Sequence, residues 1–299
     1  MEKKNYVEGL VMGALAFTLW GLLPLYWKLV KAISPYQIFA HRVVWSLLFV
    51  LIILSARQKL PEYKRIVMEP KNWIGILGPA FFISINWLLY IWAVNNDYVI
   101  ESSLGYFINP LVLTLFGAIF YRERLNKLQL IGIGLATTGV ILKSFSYGRV
   151  PYIALVLAIS FAIYGLLKKK SNLDSLNGLG FETLVIGIPS LIYLTFTELH
   201  GNGLAGNLPT HYWFLIALSG VATATPLLLY AEGTKRLPLS VIGFLQYISP
   251  SIMLVLGVFV FKEPFLKSDL GPFVLIWVGL LFFSYSQYKL LSLKSPVKS

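Results

Sequence analysis

The chain has no cysteine, only 13% charged residues, 13 acidic side chains and three histidines in 299 residues. Without cysteine there is no disulfide framework, thiolate zinc site, iron–sulfur cluster or thiol nucleophile. His41, His200 and His211 have no metal-ligand spacing, and no Walker, G-x-S-x-G or H-E-x-x-H motif occurs. No metal, no cofactor and no ATP-driven chemistry are expected, and an enzyme would lack a nucleophile–base pair. Gly201, Gly203 and Gly206 satisfy the dinucleotide-binding spacing, but Pro209 follows and no strand pattern precedes, so a flexible loop is expected.

What is abundant is apolar surface. Hydrophobic residues make up 57% of the chain and mean hydropathy is +0.72, whereas a soluble domain is roughly 45–50% apolar and about 25% charged. A soluble fold of this length cannot hide that much apolar area, and a disordered chain would have far less. The 15 prolines and 24 glycines fall among long apolar runs, where transmembrane helices tolerate both. The fold class is an all-α, multi-pass membrane protein.

About 20 apolar residues cross a hydrocarbon core roughly 30 Å thick. Spans are expected near residues 8–27, 36–54, 73–93, 100–121, 128–144, 150–167, 176–196, 211–231, 239–260 and 270–290. With the N-terminus inside, eighteen of the 25 Lys and Arg residues fall in cytoplasmic segments, six fall outside, and Arg42 lies within a span. That bias places both termini in the cytoplasm and explains the net charge of +12 without a nucleic-acid partner. No small-residue cleavage site follows Lys3 and Lys4, so the first span is read as uncleaved. Gly9 and Gly13 form a GxxxG pair suited to close helix packing.

Sliding the chain against itself by 140 residues aligns Trp73 with Trp213, Tyr90 with Tyr230, Pro110 with Pro250, Glu123 with Glu263 and Gly139 with Gly279. A shift of 144 aligns Phe17 with Phe161 and Gly21 with Gly165. Composition alone would match Leu and Ile, not Trp, Pro and Glu in order. The division is a first five-helix repeat over 1–146 and a second over 147–299. Five is odd, so the second repeat must be inverted, as in many secondary transporters with a site between the halves.

Several ordered segments carry a family likeness: LWGLLPLYWKL (19–29), IFAHRVVWS (38–46), NWLLYIWAVNN (86–96), ESSLGYFINPL (101–111), YGLLKKK (164–170), ATATPLLLY (222–230) and LPLSVIGFLQYISP (237–250). The chain resembles the EamA family of the drug/metabolite transporter superfamily, specifically its RarD members, over nearly its whole length. The resemblance implies ten helices in a pseudosymmetric bundle with a central cavity, and movement of small metabolites or drugs. The family name is associated with chloramphenicol. Glu232 in AEGTKR (231–236) departs from the small residue the resemblance leads one to expect.

Ionisable groups inside spans are costly, about +2.5–3.5 kcal/mol at a helix centre on insertion scales. Arg42 and Glu182 lie about equally far into spans two and seven but enter from opposite sides, so their depths differ by about 10 Å; they would pair with each other or each face the cavity. Arg42 is the candidate for an anionic substrate group or coupling carboxylate, and Glu182 for proton coupling. Asn86 and Tyr90 share a helix face, beside Trp87. Glu101, Tyr106, Asn109 and Pro110 follow in span four, with Tyr230, Gln246, Tyr247 and Pro250 in the second half. Pro110 and Pro250 are expected to kink their helices and free carbonyls one turn earlier. Trp20 and Tyr164 are weaker cavity candidates. His41 points about 100° away from Arg42 and is read as a packing or interface residue. Glu123 and Glu263, beside Arg122, Arg124 and Lys262, are read as local headgroup-level ion pairs.

These readings converge on a secondary transporter, an exporter on the strength of the resemblance, in the cytoplasmic membrane. Its partners are the lipid bilayer and a small-molecule substrate such as an amino acid or amphenicol. A proton or another ion joins them if transport is coupled, and a homo-oligomer is compatible. The competing reading is a non-transporting scaffold or sensor.

Overall fold

The structure is a computed structural model that describes residues 3–30, 32–95, 99–145, 150–205, 207–260 and 267–293. The boundary between the two expected repeats, at Tyr147, lies outside the described residues, as does Glu263. The helices are α1 (Lys3–Leu29), α2 (Pro35–Ala56), α3 (Leu60–Met68), α4 (Pro70–Asn95), α5 (Val99–Tyr121) and α6 (Lys127–Phe145). They continue with α7 (Tyr152–Lys170), α8 (Ser175–Leu199), α9 (His211–Arg236), α10 (Leu239–Leu245), α11 (Ile248–Val255) and α12 (Lys267–Leu293). A π-helical turn, Leu256–Val260, extends α11. No strand occurs among the described residues.

Eight helical stretches are long and apolar enough to cross a membrane, and Gly105–Tyr121 and Leu270–Ser286 are shorter apolar helices. Their outer faces carry exposed side chains that only lipid would solvate well, among them Ile74, Ile192, Phe214 and Phe259. The chain is therefore an integral, multi-pass membrane protein.

The helices interleave across the chain's midpoint. α1 packs on α9 and α11, α2 on α8 and α9, α4 on α7 and α8, α5 on α7 and α10, and α6 on α12. Close approach depends on small residues, as expected where apolar lipid gives no hydrophobic drive for helix association. A Cβ at Gly9 would lie 2.8 Å from Arg236 Cβ, and one at Gly13 would lie 2.9 Å from Leu245 Cδ1. The GxxxG pair thus seats α1 against α9 and α10.

The ninth apolar stretch is broken. Pro250 has no N–H for the Gln246 carbonyl, and the helix stops at Leu245 and restarts at Ile248. Tighter bonds bridge the gap, from Tyr247 N to Phe244 O at 3.2 Å and from Ser249 N to Gln246 O at 3.2 Å. Pro110 does not do the same, since α5 runs through it without interruption. Sequence also gave no notice of α3, a short amphipathic helix held to α8 by the Tyr63 hydroxyl, which donates to the Gly180 carbonyl at 3.0 Å.

Candidate functional site

A cavity of about 130 Å³ lies between α1, α2, α4, α5, α7 and the broken α10–α11 helix. Arg42, Asn86, Tyr90, Tyr106, Gln246 and Pro250 all face it, within an aromatic wall that includes Trp20, Trp27 and Trp87. It sits toward the end of the bundle where α1 runs out and α2 begins. Arg42 comes two turns into α2, and Trp27 lies in the last turn of α1.

The Arg42 guanidinium carbon is 4.2 Å from the Trp87 ring centroid and 5.4 Å from that of Trp27. Among the described residues no carboxylate pairs with it, and its buried Nε has no hydrogen-bond partner. A cation between two indoles is partly compensated by the rings' negative faces. It keeps its planar fork free for a carboxylate or phosphate. Tyr90 and Tyr106 stand edge to face, 5.8 Å apart.

The remaining sequence candidates divide between holding the cavity and standing behind it. Asn86 lines it, yet its Nδ2 is spent on α7, donating to Leu157 O at 2.8 Å and Ser160 Oγ at 3.0 Å. Asn109 is buried and ties α5 to α7 through Ala158 O at 2.6 Å. Tyr247 is fully buried and donates to the Phe107 carbonyl at 3.1 Å, one turn before Pro110. The Pro110 carbonyl accepts from Thr114 Oγ1 at 2.9 Å. Tyr230 lies behind the aromatic wall against Trp20 and Phe161, and among the described residues its hydroxyl has no partner. Glu101 belongs to α5, but its side chain lies outside the described residues. His41 packs edge-on against Trp213, 5.8 Å away.

Two expectations need correcting. Glu182 neither pairs with Arg42 nor lines the cavity. It is 2% exposed and accepts from Lys168 Nζ at 2.8 Å and Tyr164 OH at 3.2 Å. Lys168 reads from sequence as one of three topogenic lysines. The overlooked signal is its spacing four residues after Tyr164, on one α7 face, opposite a span carrying a lone carboxylate. Glu123 does not serve local headgroup pairs either. Its carboxylate reaches across to the start of α10, accepting from Leu239 N at 2.6 Å, Ser240 N at 3.0 Å and Ser240 Oγ at 2.7 Å. Those are donors that a helix start leaves unsatisfied, with the positive end of its dipole behind them.

Lys169 reinforces this end, donating to Thr234 O at 3.2 Å and to Leu237 O. The cavity is therefore backed, toward the ends of α5 and α7, by a polar seam that closes the bundle. The Gly201–Gly203 turn is a loop, as expected, wrapped around Glu198, which accepts from Leu204 N at 2.8 Å.

The chain matches the EamA-like transporter family over residues 7–145 and 150–285. It is 46% identical over 293 residues to the uncharacterized transporter YojE of Bacillus subtilis (strain 168), covering 97% of each chain. It is 40% identical over 278 residues to the protein RarD of Streptomyces exfoliatus, covering 93% of this chain and 88% of the relative. A crystallographically solved chain superposes with a TM-score of 0.70 at 18% identity, covering 93% of this chain and 98% of that one; that likeness speaks to the fold alone. The chain belongs to the EamA-like transporter family, within the drug/metabolite transporter superfamily, with RarD proteins among its homologues.

Proposed function

We propose that the protein is a secondary exporter of a small amphipathic solute bearing an anionic group, working by alternating access between two inverted five-helix repeats. In this reading all ten apolar stretches span the cytoplasmic membrane and both termini are cytoplasmic. The observation that carries it is Arg42: a partly buried cation with its Nε fully buried, without a carboxylate among the described residues, held by indoles at the wall of a cavity. Leaving such a charge unpaired inside a bundle is costly unless a ligand supplies the counter-charge.

Helix packing supports the repeat. Exchanging each first-half helix with its second-half counterpart turns the α1–α9 contact into α7–α4, α2–α9 into α8–α4 and α1–α11 into α7–α5, all of them real contacts. The α2–α8, α5–α10 and α6–α12 contacts map onto themselves. The cavity's 130 Å³ is well below the roughly 300–1,000 Å³ of pockets for drug-sized ligands. This arrangement suits an amino-acid-sized solute, and an amphenicol would need it opened.

The test is flux in proteoliposomes with a panel of amino acids, aromatic metabolites and amphenicols, with and without a proton gradient. Saturable flux that is lost in Arg42→Ala, with the variant still monodisperse in detergent, supports the reading. Full flux in that variant removes Arg42 from the mechanism. Absence of flux for the whole panel, with folded protein, favours the scaffold reading.

A further inference from the structure

In the second half, the residues that match the cavity wall by sequence shift are Tyr164 for Trp20, Lys168 for Pro24, Glu182 for Arg42 and Tyr230 for Tyr90. The four first-half residues line an empty space. Their four counterparts are packed solid: Tyr164 stacks on Tyr230 at 6.2 Å and 12°, Tyr164 donates to Glu182, and Lys168 and Glu182 form an ion pair with side chains 3% exposed. The copy of the cavity is thus filled by its own charges.

We infer that Glu182 is a proton-binding site, empty of its proton while this end of the bundle is closed and occupied when the end opens; the direction of opening rests on the transport reading above. The argument is one of charge burial. In the closed arrangement Lys168 neutralises Glu182 at 2.8 Å. Lys168 lies two residues before the end of α7, and beside it Gly178 leaves room, since a Cβ there would stand 3.4 Å from the ammonium. When α7 and α8 part, the flexible lysine carries its charge to water. The carboxylate, a third of the way along α8, cannot follow. An unpaired carboxylate in that apolar setting binds one proton from water and becomes neutral, because burying the bare charge costs far more. Closing returns Lys168 and expels that proton.

Among the described residues no cation other than Lys168 pairs with Glu182. Facing this region are Tyr164 on α7, Tyr230, Glu232 and Lys235 on α9, Tyr63 on α3, and Asp174 ahead of α8. Lys235 donates to the Leu173 carbonyl, and Tyr63 to the Gly180 carbonyl. The α2 residues facing Gly180 are Val50 and Leu54, both apolar, while His41 and Arg42 lie toward the far end of α2. Tyr164 and Tyr230 connect the pair to Trp20 and Phe161 on the cavity wall, so a filled cavity and a moving ion pair are mechanically linked.

The absence of cysteine makes the test direct, because an introduced thiol is the sole one. Thr234→Cys places it at a fully buried position of the closing seam. The reactivity of this thiol toward a membrane-impermeant maleimide is followed from about pH 8 to about pH 5. The same reporter in a Glu182→Gln background cancels the thiol's own titration. The expected result is that the ratio of native to Glu182→Gln reactivity rises by up to about tenfold per pH unit of acidification, the slope for one proton bound on opening. A flat ratio in a folded pair of proteins overturns the proposal, as does the same acid response in both backgrounds. If Glu182→Gln does not assemble, the Lys168→Gln/Glu182→Gln double variant serves as the proton-free reference. The probe is the proton alone, so a chain that moves no solute yet shows the acid response loses the transport reading and keeps this one.

Discussion

The central carbon of the Arg42 guanidinium lies over the Trp87 ring, 4.2 Å from its centroid. Trp87 is itself braced edge-on by Phe39, with centroids 6.1 Å apart. Among the described residues the cation is therefore held by rings, not by an acid. Removing a desolvated cation–π contact of this kind costs about 1–2 kcal/mol. Trp87→Leu is expected to raise the half-saturating solute concentration by roughly tenfold, since 1.4 kcal/mol is a decade, while leaving the folded yield intact. Arg42→Lys should do worse, because an ammonium keeps the charge and loses the planar fork. Proteoliposome flux for both variants decides it. Equal kinetics in Arg42→Lys and the native protein would sink a role for guanidinium geometry.

Glu123 and the start of α10 offer a test of the closing seam that needs no solute. Three donors of α10 converge on one carboxylate, and charge-assisted bonds of this sort contribute about 1.5–3 kcal/mol each against a buried unsatisfied donor. Glu123→Ala should therefore speed amide exchange at Leu239 and Ser240 by at least about tenfold. Exchange in the middle of α2 should not change. Unaltered exchange at residues 239–240 would show that the helix start finds its acceptors elsewhere.

Much of this architecture was legible as runs of apolar residues. A helix in lipid satisfies its own backbone, so length and hydropathy locate it with little need of tertiary information. The ends of the spans, such as α9 continuing to Arg236 past the expected 231, were set by where charge could reach water. The cavity set was half legible. Arg42, Asn86, Tyr90, Tyr106 and Gln246 converge because polar groups on apolar helices have few places to go. Partners were not legible. Glu182 and Lys168 are 14 residues apart on two helices joined by a tight turn, and Glu123 meets a helix 116 residues later. Nothing in a one-dimensional pattern distinguishes a lysine that marks topology from one that folds back onto a carboxylate. Pro250 broke its helix while Pro110 did not, because the surrounding packing, not the proline, decides whether the lost bond is bridged or merely tolerated.

Asp174 gives a pH prediction outside the spanning segments. It caps α8, accepting from Leu176 N at 3.0 Å and Asn177 N at 2.9 Å. Burial works to raise its carboxyl, but hydrogen bonds from Asn177 and Leu176 and the nearby Lys59 hold it below the ordinary carboxylate value. A carboxyl depressed by folding adds stability that is fully present above its unfolded value of about 3.9 and is lost as pH falls through the folded one. Asp174→Ala should lower stability by about 1 kcal/mol near neutrality. Asp174→Asn, still a good cap, should cost less at neutrality. For both, the deficit should shrink below about pH 4, as the native side chain protonates. Thermal unfolding in detergent across that range checks the sign. A deficit that grows on acidification would contradict it.

Gly132 and Gly134 lie two residues apart on α6 and should respond to alanine in opposite directions. A Cβ at Gly132 would fall 2.6 Å from the Gly279 carbonyl oxygen on α12, and one at Gly279 would fall 2.5 Å from the Gly132 carbonyl. Both obstacles are backbone, so neither can swing aside; α6 and α12 would have to separate. Overpacking of that kind costs about 1–3 kcal/mol. At Gly134 nothing lies within 4 Å of the added carbon, so alanine there only removes backbone freedom from the unfolded chain and should stabilise by about 0.5–1 kcal/mol. Melting temperatures of Gly132→Ala and Gly134→Ala should thus fall on either side of the native value. Shifts of the same sign would mean that α6 and α12 do not meet backbone to backbone at this crossing.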